Sequence, residues 1–242
     1  MKTSISVELI PRTAQSLVAD AQIAANFPQI THLNIPDMAD TEKFRVRSVE
    51  AARLLWGCFG DRFVYVPHVR SFDSIFQPEV YSGDIALVVG GDRPFGLRAG
   101  GEVSSVERIL GISKYAHTMA GLDPYRNSPK AELAYAAMKL KVGAKGFFTQ
   151  PFFSLAYLRF WDSMLPSGCE VFYGVSPVTN EKSLAYWKEK NHAVFPNDFA
   201  FSLAYQVRLA QKMIRFAHAR KRSVYLMPIR TPLPDYLEKV FA

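Results

Sequence analysis

Cysteine is almost absent from this sequence of 242 residues, which contains only Cys58 and Cys169. Two cysteines outside a CxxC pair cannot build a disulfide framework or a cysteine-rich metal site, and this favours a reducing compartment. Long apolar runs are also lacking, whereas a membrane-spanning helix needs about 20 such residues. No secretory signal pattern is visible near the N-terminus. We therefore expect a soluble, cytoplasmic protein.

Long tracts of glycine and proline are lacking as well: the counts of 14 and 15 residues are modest, and they are not gathered into a linker. Hydrophobic residues make up 49% of the chain and charged residues 21%, which is typical of a folded globular protein and excludes extensive disorder. We expect one domain over residues 1–242.

The net charge of +7 is concentrated near the C-terminus. Arg208, Lys212 and Arg215 fall on one face of a predicted helix, with apolar residues on another face. Such a face is usually solvated, but it could also attract an anionic ligand tail. Charge alone would permit nucleic-acid binding, yet no nucleic-acid motif is present, so we do not favour it.

The clearest pattern is an alternation of β-rich runs with helical stretches. Runs rich in Val, Ile, Phe and Tyr predict eight strands, at 4–10, 30–35, 62–69, 84–90, 109–115, 145–152, 170–175 and 223–229. Helices are predicted at 13–26, 46–59, 72–80, 104–110, 129–142, 154–165, 181–192 and 198–220. Eight such pairs indicate an α/β fold, a single (βα)8 TIM barrel. A doubly wound open sheet is the alternative, but no GxGxxG follows the first strand.

Active sites of (βα)8 barrels lie at the C-terminal ends of the strands. Alternation along the first strand places Glu8 inside the barrel, while Ile5, Val7 and Leu9 face the helices. Desolvation there would raise the pKa of Glu8, which suits a general acid. A structural carboxyl paired with neighbouring Ser or Arg side chains is the alternative.

Polar residues also end other predicted strands, and these are Asn34, His68, Asp92, His117, Gln150 and Arg230. Asp92 lies in GGDRPFG, whose glycines allow the backbone to approach a ligand closely. Gln150 is flanked by phenylalanines, a setting that suits the edge of a flat ring. A loop carboxylate and a hydrogen-bonded strand amide remain the plainer interpretations.

Metal binding is the remaining kind of site that the polar residues could form. His32, His68 and His117 together with Asp92 could in principle hold a metal ion. No HxH or HExxH spacing supports such a site. We therefore predict no metal.

Several segments, in order, resemble the methylenetetrahydrofolate reductase family. They are VELIPRT (7–13), HLNIPD (32–37), VPHVRSFD (66–73), LVVGGDRPFG (87–96), AAMKLKVGAKGFFTQPFF (136–153) and LAYLRFWD (155–162). The last third of the chain resembles the family only loosely. The resemblance implies a (βα)8 barrel that reduces 5,10-methylenetetrahydrofolate to 5-methyltetrahydrofolate in one-carbon metabolism, usually with FAD and NAD(P)H.

The resemblance also implies roles for individual residues. Glu8 matches the acid that protonates the folate, and Asp92 matches a carboxylate beside the flavin and the pterin. The predicted substrate-binding residues are Asp92, Gln150, Phe152 and Arg230. The predicted cofactor-binding residues are Asn34, His68, Gly91, His117 and Lys139.

The chain departs from the family at positions that usually hold FAD. Gly90 and Met138 stand where the family has arginines, Tyr135 stands for an asparagine, and the loop at 114–125 is unlike its counterpart. The hydride could therefore come from reduced FAD or directly from NAD(P)H.

Two other functions and the state of assembly stay open. A folate-dependent methyltransferase and a non-catalytic folate-binding subunit are alternatives to the reductase. The expected ligand is a folate, which could be polyglutamylated. A homo-oligomer or a partner subunit is compatible with the sequence.

Overall fold

A computed structural model describes residues 3–37, 47–71, 84–90 and 104–242. Its centre is a closed barrel of eight strands, in which each strand pairs with its neighbours in chain order and β1 pairs with β8. Every pair is parallel. This confirms the predicted (βα)8 barrel and excludes the open sheet.

The strands are short and all eight lie within the described ranges. Their bounds are β1 Ile5–Glu8, β2 Ile30–Ile35, β3 Val64–Arg70, β4 Ile85–Val89, β5 His117–Leu122, β6 Gly146–Pro151, β7 Glu170–Val175 and β8 Ser223–Leu226. The predicted bounds of β2 and β7 are confirmed, and most others differ by a few residues at their ends.

The described helices cover the outside of the barrel. They are α1 Ala14–Ala25, α2 Ser48–Phe59, α3 Ser105–Ile112, α4 Pro129–Lys141, α5 Leu155–Met164, α6 Glu181–Ala185, α7 Leu203–Ala219 and α8 Leu233–Phe241. A short 3₁₀ turn at Gly60–Arg62 follows α2, and a π-helical turn at Tyr186–Lys190 follows α6. None of these helices is long and apolar enough to cross a membrane.

Capping residues fix the start of several helices. Ser104 accepts a hydrogen bond from the backbone of Glu107, and the Glu107 carboxylate accepts from the Ser104 backbone at 2.8 Å. The two bonds form a capping box, for which the S-x-x-E spacing from Ser104 to Glu107 is typical. Ser128 caps α4, with Pro129 in the first turn, as the sequence indicates.

The prediction of strand five at 109–115 is wrong. Residues 105–112 form α3, because Ile109 and Ile112 recur at helical spacing and both are buried against the barrel. The strand is the following segment, β5, so His117 begins a strand instead of ending one. Asp123 is the residue that follows β5.

Two further differences concern helices. The sequence reading missed α8, which packs against α1 and α7, and it began α7 five residues too early. The short helix predicted at 72–80 lies outside the described residues.

The core has two layers separated by the strands. Outside the barrel, alternate strand residues such as Val7 and Val175 pack against helix residues such as Leu17 and Trp161. Inside the barrel lies a second cluster, formed by Val66, Ile85, Leu87, Met119, Phe148, Phe172, Tyr225 and Met227. Phe148 stacks on Phe172 with ring centroids 4.2 Å apart. The barrel is therefore filled at its centre, and open space remains at the C-terminal ends of the strands.

Candidate active site

Glu8 ends β1 and lies at the mouth of the barrel, where it lines two neighbouring cavities. The hydroxyl of Tyr225, from the adjacent strand β8, donates a hydrogen bond to Glu8 Oε2. Burial raises the pKa of Glu8 to about 7, and the bond from Tyr225 offsets part of that rise. Glu8 can therefore both give and take a proton near neutral pH.

A chain of hydrogen bonds beside Glu8 joins the first three strands. The Asn34 amide donates to Ser6 Oγ at 2.8 Å, and His68 Nε2 lies 2.7 Å from Asn34 Oδ1. Because the Asn34 amide nitrogen is the donor to Ser6, Oδ1 faces His68, and His68 Nε2 carries the proton. Burial lowers the pKa of His68 to about 3, so the ring is neutral. Asn34 is fully buried, and its hydrogen bond to His68 fixes the orientation of the imidazole ring.

The main cavity, of about 360 Å³, opens at the C-terminal ends of the strands. Four of the residues predicted from the sequence line it, namely Glu8, His68, Lys139 and Gln150. Phe148 and Tyr225 belong to the buried cluster inside the barrel and also contribute to the lining. The volume lies toward the lower end of the range for small-molecule sites, about 300–1,000 Å³. The cavity thus combines an apolar base with a few convergent polar groups.

A group of charged residues forms the β5–α4 side of this cavity. Lys139 Nζ donates to the Gly121 carbonyl at 2.7 Å and lies 4.2 Å from the centre of the Tyr135 ring. Burial lowers the pKa of Lys139 to about 8, opposed by the nearby carboxylate of Glu132. Burial also raises the pKa of Asp123.

Sequence reasoning missed Asp123 and Glu132, although both line the cavity. A strand over HTMAGL would have placed Asp123 at a strand end, so the misplaced strand five caused the omission. Tyr225 was also missed, although alternation along β8 points it inward.

The segment after β7 covers one side of the cavity. Tyr186, Trp187 and Asn191 line it from the π-helical turn and the residue that follows. Trp187 is buried and packs near Phe153, with ring centroids 5.5 Å apart. π-helical turns are frequent at functional sites. No sequence signal beyond the adjacent aromatic pair marked this segment.

The structure places two predicted site residues away from the cavity. His117 begins β5 at the opposite end of the barrel, with Nε2 3.6 Å from Glu170 Oε1. Phe152 is fully buried outside the barrel, edge-on to Tyr157 and Tyr173. Neither the predicted cofactor contact of His117 nor the substrate contact of Phe152 fits these positions.

The histidines considered as metal ligands do not converge. His68 lies at the mouth, whereas His32 lies near His117, toward the opposite end. In the part of the chain that the structure describes, no group of three His, Cys, Asp or Glu side chains could hold a metal ion.

The remaining predicted residues have varied positions. Gly91 and Asp92 lie outside the described residues. Arg230 is exposed, with its guanidinium 5.9 Å from the centre of the Tyr186 ring, and it lines the second cavity together with Glu8. The basic residues of α7 are exposed on its outer face and line neither cavity.

Comparison with known proteins supports the fold. The sequence matches no family model and no curated protein. Dihydropteroate synthase from Xanthomonas albilineans is 13% identical, with a TM-score of 0.54 over 99% of this chain and 91% of that one. Dihydropteroate synthase from Thermus thermophilus is 15% identical, with a TM-score of 0.54 over 99% and 92%. A putative deoxyribose-phosphate aldolase from Toxoplasma gondii is 11% identical, with a TM-score of 0.50 over 99% and 94%.

These similarities define the class of the protein as a (βα)8 barrel. Identities this low show the fold alone. None of the three structures is a methylenetetrahydrofolate reductase, so that resemblance depends on the sequence segments given above.

Proposed function

We propose that this barrel is an enzyme that interconverts 5,10-methylenetetrahydrofolate and 5-methyltetrahydrofolate. The observation that carries the proposal is Glu8, a carboxyl group with a pKa of about 7 in a cavity that Gln150 also lines. A carboxyl that remains substantially protonated at neutral pH is suited to general acid catalysis. Opening the five-membered ring of the folate requires such an acid.

The residues of the cavity would divide the work of binding and proton transfer. The amide of Gln150 offers both a donor and an acceptor to the edge of a pterin ring. Glu8 would donate its proton to one of the two nitrogens that the methylene group joins. The bond between that nitrogen and the methylene carbon then breaks. The methylene carbon stays on the other nitrogen as an iminium, which accepts the hydride. The hydroxyl of Tyr225 donates to Glu8 and would stabilise the carboxylate left behind.

The charges around the cavity bear on the source of the hydride. Arg126 and Lys139 are the cations of the described lining, and the carboxylates of Asp123 and Glu132 oppose them. Because these carboxylates offset the positive charge, the described residues would not hold the pyrophosphate of FAD tightly. NAD(P)H carries the same pyrophosphate, but a cosubstrate that binds and leaves needs only weak binding. We therefore favour NAD(P)H, and we assign no step to a resident flavin.

The structural comparisons give general support for a pterin ligand. Two of the three barrels are named dihydropteroate synthase, and one of them is described in complex with 6HMPPP. A pterin-containing product is thus made on the same fold. This lends general support to a pterin-containing ligand for this barrel without selecting its position or a reaction.

The test is to mix the purified protein with 5,10-methylenetetrahydrofolate and NADH or NADPH and to follow nicotinamide absorbance. We expect turnover that falls as the pH rises through about 7, because Glu8 must be protonated. Glu8→Gln should lower the rate by at least ~10²-fold. Glu238→Gln, the same substitution at an exposed carboxylate of α8, should have no effect.

Three outcomes would contradict the proposal, the last two with added assays of folate binding and methyl transfer. A wild-type rate in Glu8→Gln would remove Glu8 from the chemistry. Folate binding without nicotinamide oxidation would favour an accessory subunit, and methyl transfer without nicotinamide would favour a methyltransferase. The visible spectrum of the isolated protein should show no stoichiometric flavin.

A further inference from the structure

A second cavity, of about 390 Å³, lies between the β1–α1 loop and the β8–α8 loop. Its polar lining includes Glu8, Arg12, Asp20, Arg230 and Thr231. Because Glu8 and Ile229 line both cavities, the second cavity adjoins the main one. A group bound in the second cavity would therefore lie beside the proposed general acid.

Three side chains around this cavity have no hydrogen-bond acceptor among the described residues. The guanidinium groups of Arg12 and Arg230 are exposed to solvent, and that of Arg230 lies 5.9 Å from the centre of the Tyr186 ring. Across the described ranges, the guanidinium groups of Arg12 and Arg230 form no hydrogen bond and no ion pair within 4.0 Å. Thr231, the residue after Arg230, adds the third donor. Its Oγ1 is buried and has no hydrogen-bond partner among the described residues. A buried hydroxyl without a partner is unfavourable, so Thr231 is a candidate contact for an oxygen of a ligand in this cavity.

The backbone adds a fourth favourable feature. Helix α8 begins at Leu233, directly beside this cavity, and Pro232 at its N-cap provides no side-chain acceptor. Pro234 has no N–H, so Leu233 and Asp235 provide the first N–H groups of α8, and no side chain caps them. The positive end of the helix dipole adds to the two guanidinium charges.

Three carboxyl groups oppose this positive charge: Glu8 and Asp20 in the cavity lining, and Asp235 in the first turn of α8. Asp20 interacts electrostatically with Arg12, and burial raises the pKa of Asp20. The other carboxyl of the lining, Glu8, already accepts a hydrogen bond from Tyr225. No described acceptor therefore occupies the guanidinium groups.

We propose that the second cavity binds an oxyanion, the phosphate or carboxylate group of a small ligand. Guanidinium groups suit such anions because their paired N–H donors match two oxygens at once. Arg12 and Arg230 would hold the anion from opposite loops, while Thr231 and the start of α8 would contact its remaining oxygens. This site is separate from the pterin edge assigned to Gln150, and it does not depend on the reaction proposed above.

The test is calorimetric titration of the full chain with inorganic phosphate, and separately with glutarate, at constant ionic strength in chloride. We expect one of these anions to bind with a 1:1 stoichiometry. Arg12→Ala and Arg230→Gln should each weaken binding by at least about tenfold, which is ~1.4 kcal/mol. Thr231→Val keeps the side-chain shape and should weaken binding by a smaller factor.

Matched controls are available on α7. Arg208→Ala and Arg215→Ala remove charges that are also exposed but line neither cavity, and they should leave binding unchanged. Circular dichroism would verify that each variant folds, and Arg12→Lys, which keeps the charge, should retain part of the affinity.

The outcomes separate the possible sources of the anion. Binding of phosphate alone supports a phosphorylated ligand, and binding of glutarate alone supports a carboxylate tail. The proposal is overturned if neither anion binds at 20 mM (roughly 20-fold above the concentration at which a ~4 kcal/mol site half-fills). Equal weakening in the α7 controls and in the cavity variants would also overturn it. None of these results depends on folate turnover.

Discussion

Replacing Glu8 with Gln should make the protein more stable at alkaline pH while removing its proposed acid. Burial raises the pKa of Glu8 from 4.5 to about 7 in the folded state. At ~1.4 kcal/mol per pH unit, ionising this carboxyl costs the folded state about 3 kcal/mol more than the unfolded state. Gln carries no charge, and its side-chain oxygen can still accept the hydrogen bond from Tyr225.

The sign of this effect follows from the direction of the shift. Below pH 4.5 Glu8 is protonated in both states, so wild type and variant should differ little. As the pH rises from 4.5 to about 7, the unfolded carboxyl ionises first, and the wild-type protein loses stability. Above pH 7 the loss is complete, and the variant should be more stable by about 3 kcal/mol.

Guanidinium chloride unfolding at pH 4.5 and pH 8.5 would measure this difference. Glu238→Gln, which changes an exposed carboxyl, should follow the wild-type pH dependence. If Glu8→Gln also followed the wild type at both pH values, Glu8 would not be a desolvated carboxyl, and the physical basis of its role as an acid would be lost.

Four further substitutions test the site and the packing around it. Tyr225→Phe removes a bond that lowers the pKa of Glu8, so the midpoint of the pH–rate profile should rise by about 1–2 pH units; an unchanged midpoint would contradict this contact. Gln150→Ala should raise the KM for the folate with little loss of stability. Phe152→Leu should do the reverse: it should lower the free energy of unfolding by about 1 kcal/mol in denaturant titrations and leave the KM unchanged. Trp161→Ala, in the fully buried outer layer, should cost about 3–5 kcal/mol, and a loss below 1 kcal/mol would show that the helix layer is not packed as described.

Local sequence patterns were enough to predict the architecture, because the alternation of strands and helices and the helix caps are set by residues that are near each other in the sequence. The eight-fold alternation of strands and helices indicated the barrel, and the cap at Ser104 marked the start of α3. Alternation along β1 was enough to place Glu8 inside the barrel, because successive strand side chains point to opposite faces.

Strand five shows where local patterns fail. A short apolar run such as ILGISKY fits a buried strand or a buried helix equally well. The segment became α3 because packing on the barrel buries Ile109 and Ile112 together. That error displaced the strand end, so His117 was assigned to the mouth and Asp123 was overlooked.

The sequence by itself determined the class of fold and the inward position of Glu8. Only the closed barrel decided which residues meet there. Tyr225 lies 217 positions from Glu8 along the chain, and the two make contact because β8 pairs with β1 in a register that aligns Tyr225 with Ser6. Arg12 and Arg230 likewise come to one cavity from the loops after β1 and β8. Periodicity fixes the face that a side chain occupies, whereas strand register and barrel closure fix its neighbours, and the chemistry of the site depends on those neighbours.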